Sequence, residues 1–375
     1  MWIWIWDRLR AGQNSKRKRY SAEAVSAPLA KAREKMIAEW RSVCREAQGR
    51  GHRKMQLPCQ DKTCSLSENG VNVIALADGA GSERFSHYGA ERVVRCVTAL
   101  LVSRFQEYFE CDDGRQVKKQ IVAELMRELA NEAERQCCEV RALAATLLFA
   151  AVKGDGFILG HIGDGVLGYL EGAELKVASA PDNGEFSNVT TFVTSAKALS
   201  SMRLYKGCIN DISAFVLMSD GSGQSLYNNR NGTLAKGVKR LMYRTCLLNR
   251  DVMEEQLGKV LSSALVKNTQ DDCSVAILAR PVGQLIPFEK LSLLGRMRLY
   301  EIPSDARNAR KRAERFDEIL RLLGDGPCSL SRIAKKIHLP EKHTVKRMGS
   351  LEKIALVKKI RGVFTSCINE ARYES

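Results

Sequence analysis

The sequence predicts an α+β body over residues 40–280, followed by a small helical domain that ends in a β-hairpin. Three observations predict it. Short apolar, β-branched runs stop repeatedly at an aspartate, most plainly in Val71-Asn-Val-Ile-Ala-Leu-Ala-Asp78-Gly79. Two long stretches with helical apolar spacing stand together between such runs. From residue 307 onward, three amphipathic segments precede a hairpin pattern.

Trp2, Trp4 and Trp6 alternate with isoleucine ahead of Lys16-Arg17-Lys18-Arg19, and a locally packed terminus is expected over a membrane-interface segment. Residues 21–39 read as a helix with a solvated basic face, closing a basic extension over 1–39. After the Asp78 strand, Val93, Val94, Val97, Leu101 and Phe105 predict a helix over 87–108. Ile121, Leu125 and Leu129 predict another over 116–136. The acids of Cys111-Asp-Asp-Gly114 are expected to face solvent. Residues 144–152 and the run ending at Asp164 read as a hairpin about Gly154-Asp155-Gly156. His161, three residues before Asp164, falls on the opposite face of that strand and is expected to be a satisfied sheet histidine. Two short strands follow around Glu171-Gly172, and Phe192-Val193-Thr194 is expected to return to strand. A further strand ends at Asp220. Helices are expected over 231–246 and 251–266, and a last strand over 273–279.

The chemistry lies in the strand-end acids. Two bare carboxylates about 4 Å apart repel by roughly 4 kcal/mol at an effective dielectric of about 20. Several at one place therefore need cations, and hard oxygen ligands select Mg²⁺ or Mn²⁺ over zinc. Two such ions activate water and grip a phosphoryl group, so the residues point to a metal-assisted phosphate hydrolase.

Asp61 in Leu57-Pro58-Cys59-Gln60-Asp61, Ala77-Asp78-Gly79-Ala80-Gly81-Ser82, Gly163-Asp164, Met218-Ser219-Asp220-Gly221 and Asp271-Asp272-Cys273 stand in the order of a known family. Gly184-Glu185-Phe186-Ser187-Asn188-Val189-Thr190 adds a further motif. Over residues 40–280 the chain resembles the bacterial branch of the PPM-type (class 2C) metal-dependent Ser/Thr protein phosphatases. The resemblance implies a four-layer α-β-β-α sandwich of two mainly antiparallel sheets flanked by helices, with a first strand from Trp40 to Glu46. It implies two Mn²⁺ or Mg²⁺ ions held by Asp61, Asp78, the Gly79 carbonyl, Asp220 and Asp271. Asp164 and Asp220 would serve a third ion, and Asp272 would be a neighbouring or fallback ligand. A metal-activated water then attacks phosphorus with no phospho-enzyme, so no cysteine nucleophile is required.

The chain departs from the family pattern in places. The arginine that binds substrate phosphate is replaced by Gln56, leaving His52, Arg53 or Lys54 of a polar turn to take its place. Gln60 replaces a carboxylate. Ala80 replaces a histidine that can protonate the leaving group, leaving water, His52 or His87 for that step. The rival reading is a non-enzymatic regulator built on the same fold. The implied partners are a phosphoprotein substrate and a cognate Ser/Thr kinase or its targets.

Charge divides the chain. The net charge of +16 is carried as +9 in residues 1–54 and +9 in 307–375, while the middle is −2. Basic ends on a near-neutral body suggest anionic partners for the ends. The 12 cysteines are scattered with no C-x-x-C, so reduced, mostly buried packing residues are expected, with Cys96, Cys208, Cys246 and Cys273 in apolar runs. No apolar stretch reaches the roughly 18 residues of a membrane span, and a cytoplasmic location without membrane insertion is expected.

Residues 281–306 hold Pro281, Pro287 and Pro303 and read as a connector. In 307–375, Phe316, Ile319, Leu320 and Leu323 mark one helix. Ser329 caps a second, and a third is expected to turn Val345, Met348, Leu351 and Ile354 inward. With a hairpin at Arg361-Gly362 this resembles a winged helix-turn-helix. Lys342, Lys346, Arg347 and Lys353 of its third helix are the candidate contacts to duplex DNA or to a protein.

Overall fold

The computed structural model describes residues 3–4, 39–181, 190–283, 285 and 287–368. Of the N-terminal helix expected over 21–39, residues 21–38 lie outside the described residues, as do Glu185 and Asn188, and Glu39 is not helical.

β1 (Ile3–Trp4), β2 (Arg41–Ala47) and the one-turn helix α1 (Arg50–Met55) lead into the hairpin β3 (Lys62–Glu68) and β4 (Val71–Ala77). Helices α2 (Ser86–Glu110) and α3 (Gly114–Gln136) follow, as the apolar spacing requires. Asp113 caps α3 by accepting from Arg115 N–H at 2.9 Å, and Asp112 stays in solvent beside Lys206. Next come β5 (Leu147–Lys153), β6 (Gly156–Ile162), β7 (Val166–Glu171), β8 (Glu174–Ser179), the single turn α4 (Ala198–Ser201), β9 (Arg203–Cys208) and β10 (Ile212–Met218). α5 (Asp220–Leu226), a ribbon of β11 (Tyr227–Asn228) and β12 (Thr233–Leu234), α6 (Lys236–Leu247), α7 (Arg250–Val260) and β13 (Cys273–Ala279) complete the body.

One sheet runs β1-β9-β6-β5-β4-β3 and the other β2-β13-β10-β7-β8. Every pairing within them is antiparallel except β1 with β9. β4 shows why its sequence is apolar at every position but Asn72, which is only half-buried. Val71, Val73, Ala75 and Ala77 pack under α2 and α3, whereas Ile74 and Leu76 face the second sheet through Leu167, Phe215 and Leu217. A strand buried on both faces needs apolar residues at every position. Helices α6 and α7 cover the outer face of the second sheet, giving the expected α-β-β-α layering.

Several expectations change. Phe192–Thr194 do not return to strand: Val193 and Thr194 form a turn, tied to the sheet by a bond from Val193 N–H to Ala145 O at 2.8 Å. Arg50–Met55 are helical where a polar turn was expected. Of the cysteines, only Cys246, Cys273, Cys328 and Cys367 are fully buried, and Cys137 and Cys208 are exposed. His161 meets its expectation, with Nδ1 2.8 Å from Ser179 Oγ. No helix among the described residues is long and apolar enough to cross a membrane.

The C-terminal part is α8 (Leu293–Leu299), α9 (Ala309–Gly324), β14 (Cys328–Ser329), α10 (Leu330–Lys336), α11 (Glu341–Lys353), β15 (Val357–Ile360) and β16 (Val363–Ser366), with sheet order β14-β16-β15. Ser329 caps α10 by accepting from Arg332 N–H. The segment 281–306 is no free linker. Met297, Tyr300 and Ile302 enter the same apolar cluster as α6 and α7, and the Tyr300 hydroxyl donates to the buried Asp317. Val345 is turned out and 52% exposed; Thr344, Met348 and Leu351 form the inner face of α11 instead.

Candidate metal centre

Sheet register brings the aspartates to one edge. β3 and β4 pair with Lys62 opposite Ala77, so Asp61 and Asp78 leave neighbouring strand ends. β10 and β13 pair with Met218 opposite Val275, which does the same for Asp220 and Asp271. Asp164 lies where the chain passes from β6 of one sheet to β7 of the other.

Local bonds fix each tip. Asp78 N–H donates to Thr146 Oγ1 at 2.9 Å and its carbonyl accepts from Thr146 N–H at 2.8 Å. Gly79 N–H donates to Gln60 O at 3.2 Å. A Cβ on Gly79 would lie 2.9 Å from the Ser86 backbone, so the turn that follows Asp78 can press against α2 only as glycine. Asp220 opens α5 and accepts from Gly221 N–H at 2.6 Å, and Thr190 Oγ1 donates to Asp164 at 2.6 Å.

Asp61 is 1% exposed, and neither carboxylate oxygen has a hydrogen-bond partner. Burial, then the charges of Asp272 and Asp220, pushes its pKa up to about 8; the nearby Ser274 and Ser219 hydroxyls oppose this without completing a bond of good geometry. Asp78 is raised well above the carboxylate range by burial, then by Asp61, Asp220, Asp271 and Asp164. Asp220 is pushed up to about 6 by burial, then Asp271 and Asp164, while hydrogen bonds from Asp78 and Gly221 pull the other way. The acids thus act as one electrostatic unit. The donor set fits a hard divalent cation. It is all oxygen, it carries excess negative charge, and Gln60 Oε1 and both Asp61 oxygens are buried acceptors lacking donors.

A sign follows for the metal-free protein. An unfolded aspartate titrates near 3.9, so between about pH 4 and 8 folded Asp61 holds a proton that the unfolded chain has released. Stability therefore falls as pH rises through that window, and Asp220 adds to the fall between about 4 and 6. Asp61→Asn is expected to raise the metal-free Tm by at least a few degrees near pH 8 and by little near pH 4, read by calorimetry with chelator present.

The expected site residues take different places. Asp272, expected as a neighbouring or fallback ligand beside Asp271, is 1% exposed and spends its oxygens on protein donors next to the cluster. It accepts from Gly49 N–H at 2.6 Å and Gln60 N–H at 2.6 Å. His52 Nδ1 lies 2.9 Å from Asp272 Oδ2 but at an angle too poor for a hydrogen bond, a contact of position and, when the ring is protonated, of charge. Asp272 therefore staples the chain around α1 to the loop that carries Asp61. His52 is turned inward. Arg53 folds back on Gln48 O at 2.8 Å and Lys54 is exposed. His87 is half-buried, its ring 4.1 Å from that of Tyr88, and burial, then Lys62, lowers its pKa. Sequence reasoning missed Thr146, the holder of Asp78, and Arg50. The latter lines a cleft of about 500 Å³ that reaches Asp271. A larger cleft of about 580 Å³, lined by residues 288–368, borders none of the clustered acids.

Comparison with known proteins finds similarity to phosphatases. Residues 48–262 match the family model described as Protein phosphatase 2C. Serine/threonine-protein phosphatase 3 of Escherichia coli (strain K12) is 27% identical over 258 residues, which is 64% of this chain and 98% of that protein. A solved bacterial serine phosphatase aligns with a TM-score of 0.47 and 17% identity, covering 65% of this chain and 98% of that one. The catalytic domain of the serine threonine protein phosphatase PstP in complex with 2 manganese ions aligns with a TM-score of 0.43 and 16% identity, covering 64% and 97%.

Proposed function

The chain belongs to the protein phosphatase 2C family and is a serine/threonine protein phosphatase, and from that premise we propose that Asp61, Asp78, the Gly79 carbonyl, Asp220 and Asp271 hold two divalent cations, Mn²⁺ or Mg²⁺. Asp164 and Asp220 would hold a third. Bound there, the ions supply Lewis acidity to the phosphoryl group and lower the pKa of water. The chain's own part is positional. Thr146 fixes the Asp78 backbone, Asp272 ties α1 to the Asp61 loop, and Gly79, without a side chain, lets the turn after Asp78 press against α2. The substrates are phosphoserine and phosphothreonine on proteins, among them a cognate kinase or its targets.

The observation that carries this reading is Asp61, a buried carboxylate with two unpartnered oxygens, electrostatically joined to Asp78 and Asp220. Such a group is costly unless a cation compensates it. The full chain with Mn²⁺ should hydrolyse an aryl phosphate, lose that activity to a chelator and regain it when Mn²⁺ returns. Turnover indifferent to the chelator would refute the metal reading, and a chain that binds Mn²⁺ without turnover would favour the non-enzymatic regulator.

For residues 309–366 we propose a winged helix-turn-helix whose third helix meets duplex DNA. Lys342, Lys346 and Lys353 are exposed on α11, with Arg347 half-buried among them. Residues 328–366 hold ten Lys/Arg against two Asp/Glu, and of these Lys358 is already paired with Asp251 at 2.7 Å. Binding to a DNA duplex should weaken steeply with salt, and the double variant Lys342→Glu/Lys346→Glu should lose about tenfold or more in affinity. Undiminished duplex binding in that variant would exclude this face, and an absence of duplex binding would leave α11 to a protein partner.

A further inference from the structure

We infer that Arg50 grips the phosphate of the substrate, from the cleft that adjoins Asp271. This rests on the phosphatase reading above and names the residue that receives the anion.

The argument begins with rigidity. α1 is too short to hold itself, yet it is stitched to the loop before β13. Gly51 N–H donates to Gln270 O at 2.8 Å. Gly49 lies so close to that loop that a Cβ would stand 2.3 Å from the Asp271 carbonyl carbon and oxygen, and its N–H donates to Asp272. Arg50, between these two glycines, is thereby held at a fixed offset from a proposed metal ligand. Its guanidinium is also oriented, because Nε donates to Thr269 O at 3.0 Å. The two terminal nitrogens make no hydrogen bond among the described residues, so the outer edge of the fork is available.

The surroundings favour an anion of this kind. The cleft of about 500 Å³ is lined by Arg50, His52, Met55, Gln224, Thr269 and Asp271, among others. Its size suits a phosphorylated side chain with neighbouring peptide, and Met55, 61% exposed, offers apolar surface at the rim. His52 is buried and turned toward Asp272, whereas Arg50 is exposed, so Arg50 is the lining cation with terminal donors to spare. Of the other nearby cations, Lys54 does not line the cleft and two more are engaged elsewhere. Arg53 is folded onto Gln48 O, and Lys62 Nζ donates to Cys59 O at 2.9 Å. A planar guanidinium whose two terminal nitrogens are free matches two phosphate oxygens.

The test titrates inorganic phosphate into the Mn²⁺-loaded full chain by calorimetry and, in parallel, uses it as an inhibitor. Arg50→Ala should weaken phosphate binding about 10- to 100-fold, Arg50→Lys should recover part of that loss, and Arg53→Ala should bind like the wild type. The kcat/KM for an aryl phosphate and for a phosphothreonine peptide should fall by the same factor in Arg50→Ala. Unaltered phosphate affinity in Arg50→Ala would overturn the proposal, as would an equal loss in Arg53→Ala or a wild type that binds no phosphate. A fall confined to the peptide substrate would also overturn it, assigning Arg50 to flanking sequence. Should the wild type bind phosphate but hydrolyse nothing, the phosphatase reading fails, and the titration still decides whether Arg50 makes the contact.

Discussion

Asp78→Asn should lower Mn²⁺-dependent hydrolysis of an aryl phosphate by roughly 10³-fold or more, the scale on which removing one essential electrostatic contact at a reacting centre acts. Asp78 is the most connected acid of the cluster, feeling Asp61, Asp220, Asp271 and Asp164 at once. Asparagine preserves size and one acceptor but removes a charge that the cations would neutralise, and it points an NH₂ group at the other acids. Mn²⁺ affinity should therefore fall with turnover. The metal-free variant should not be destabilised, because the substitution removes a carboxyl whose ionised form burial, then the neighbouring acids, disfavour. Asp155→Asn is the control, since Asp155 occupies the exposed hairpin turn between β5 and β6. Wild-type-like metal-dependent turnover in Asp78→Asn would remove Asp78 from the site and, with it, the assignment built on the strand-end acids.

Much of this site was legible because its parts are local. An apolar run that stops at Asp-Gly states in a few residues that a buried strand delivers a carboxylate to its end, and Asp78, Asp164 and Asp220 all stand at such ends. What the sequence hid is long-range. Asp272 sits beside Asp271, where a second ligand is the natural reading, but its donors are Gly49 and Gln60, more than 200 positions away. The same distance hid α1, which has no apolar periodicity of its own and is helical through its bonds to Gln270 and Thr269. Val345 failed for a different reason. Three-residue steps placed it inside, but four-residue steps from Thr344 to Met348 set the buried face, and the Thr344 hydroxyl is satisfied by Pro340 O at 3.2 Å. A polar residue on the inner face concealed the true register of the helix.

The second large effect concerns the join between body and C-terminal part. A 40–280 fragment should be insoluble or far less stable than the full chain. The charge pattern and prolines read as an appended domain, yet one apolar cluster contains Met242, Leu247 and Val252 of the body together with Met297, Phe316 and Ile354 beyond it. Leu248 forms a β-bridge with Ile368, and Asn249 N–H donates to Cys367 O at 2.9 Å. Arg244 reaches Ile354 O at 2.6 Å, and Asp251 pairs with Lys358. Each large apolar side chain stripped of cover costs about 1.5–3 kcal/mol. A handful of them would match the roughly 5–15 kcal/mol that holds a typical domain folded. The full chain should accordingly melt in one cooperative transition by calorimetry, and the fragment should elute from gel filtration as aggregate. A monomeric fragment with wild-type activity and Tm would show that the shared cluster contributes nothing. The expected outcome has a consequence for mechanism, because a C-terminal unit welded to α6 and α7 cannot swing as on a tether. Whatever binds α11 is held at a fixed distance from Asp271, and coupling between that partner and hydrolysis would pass through the packed body.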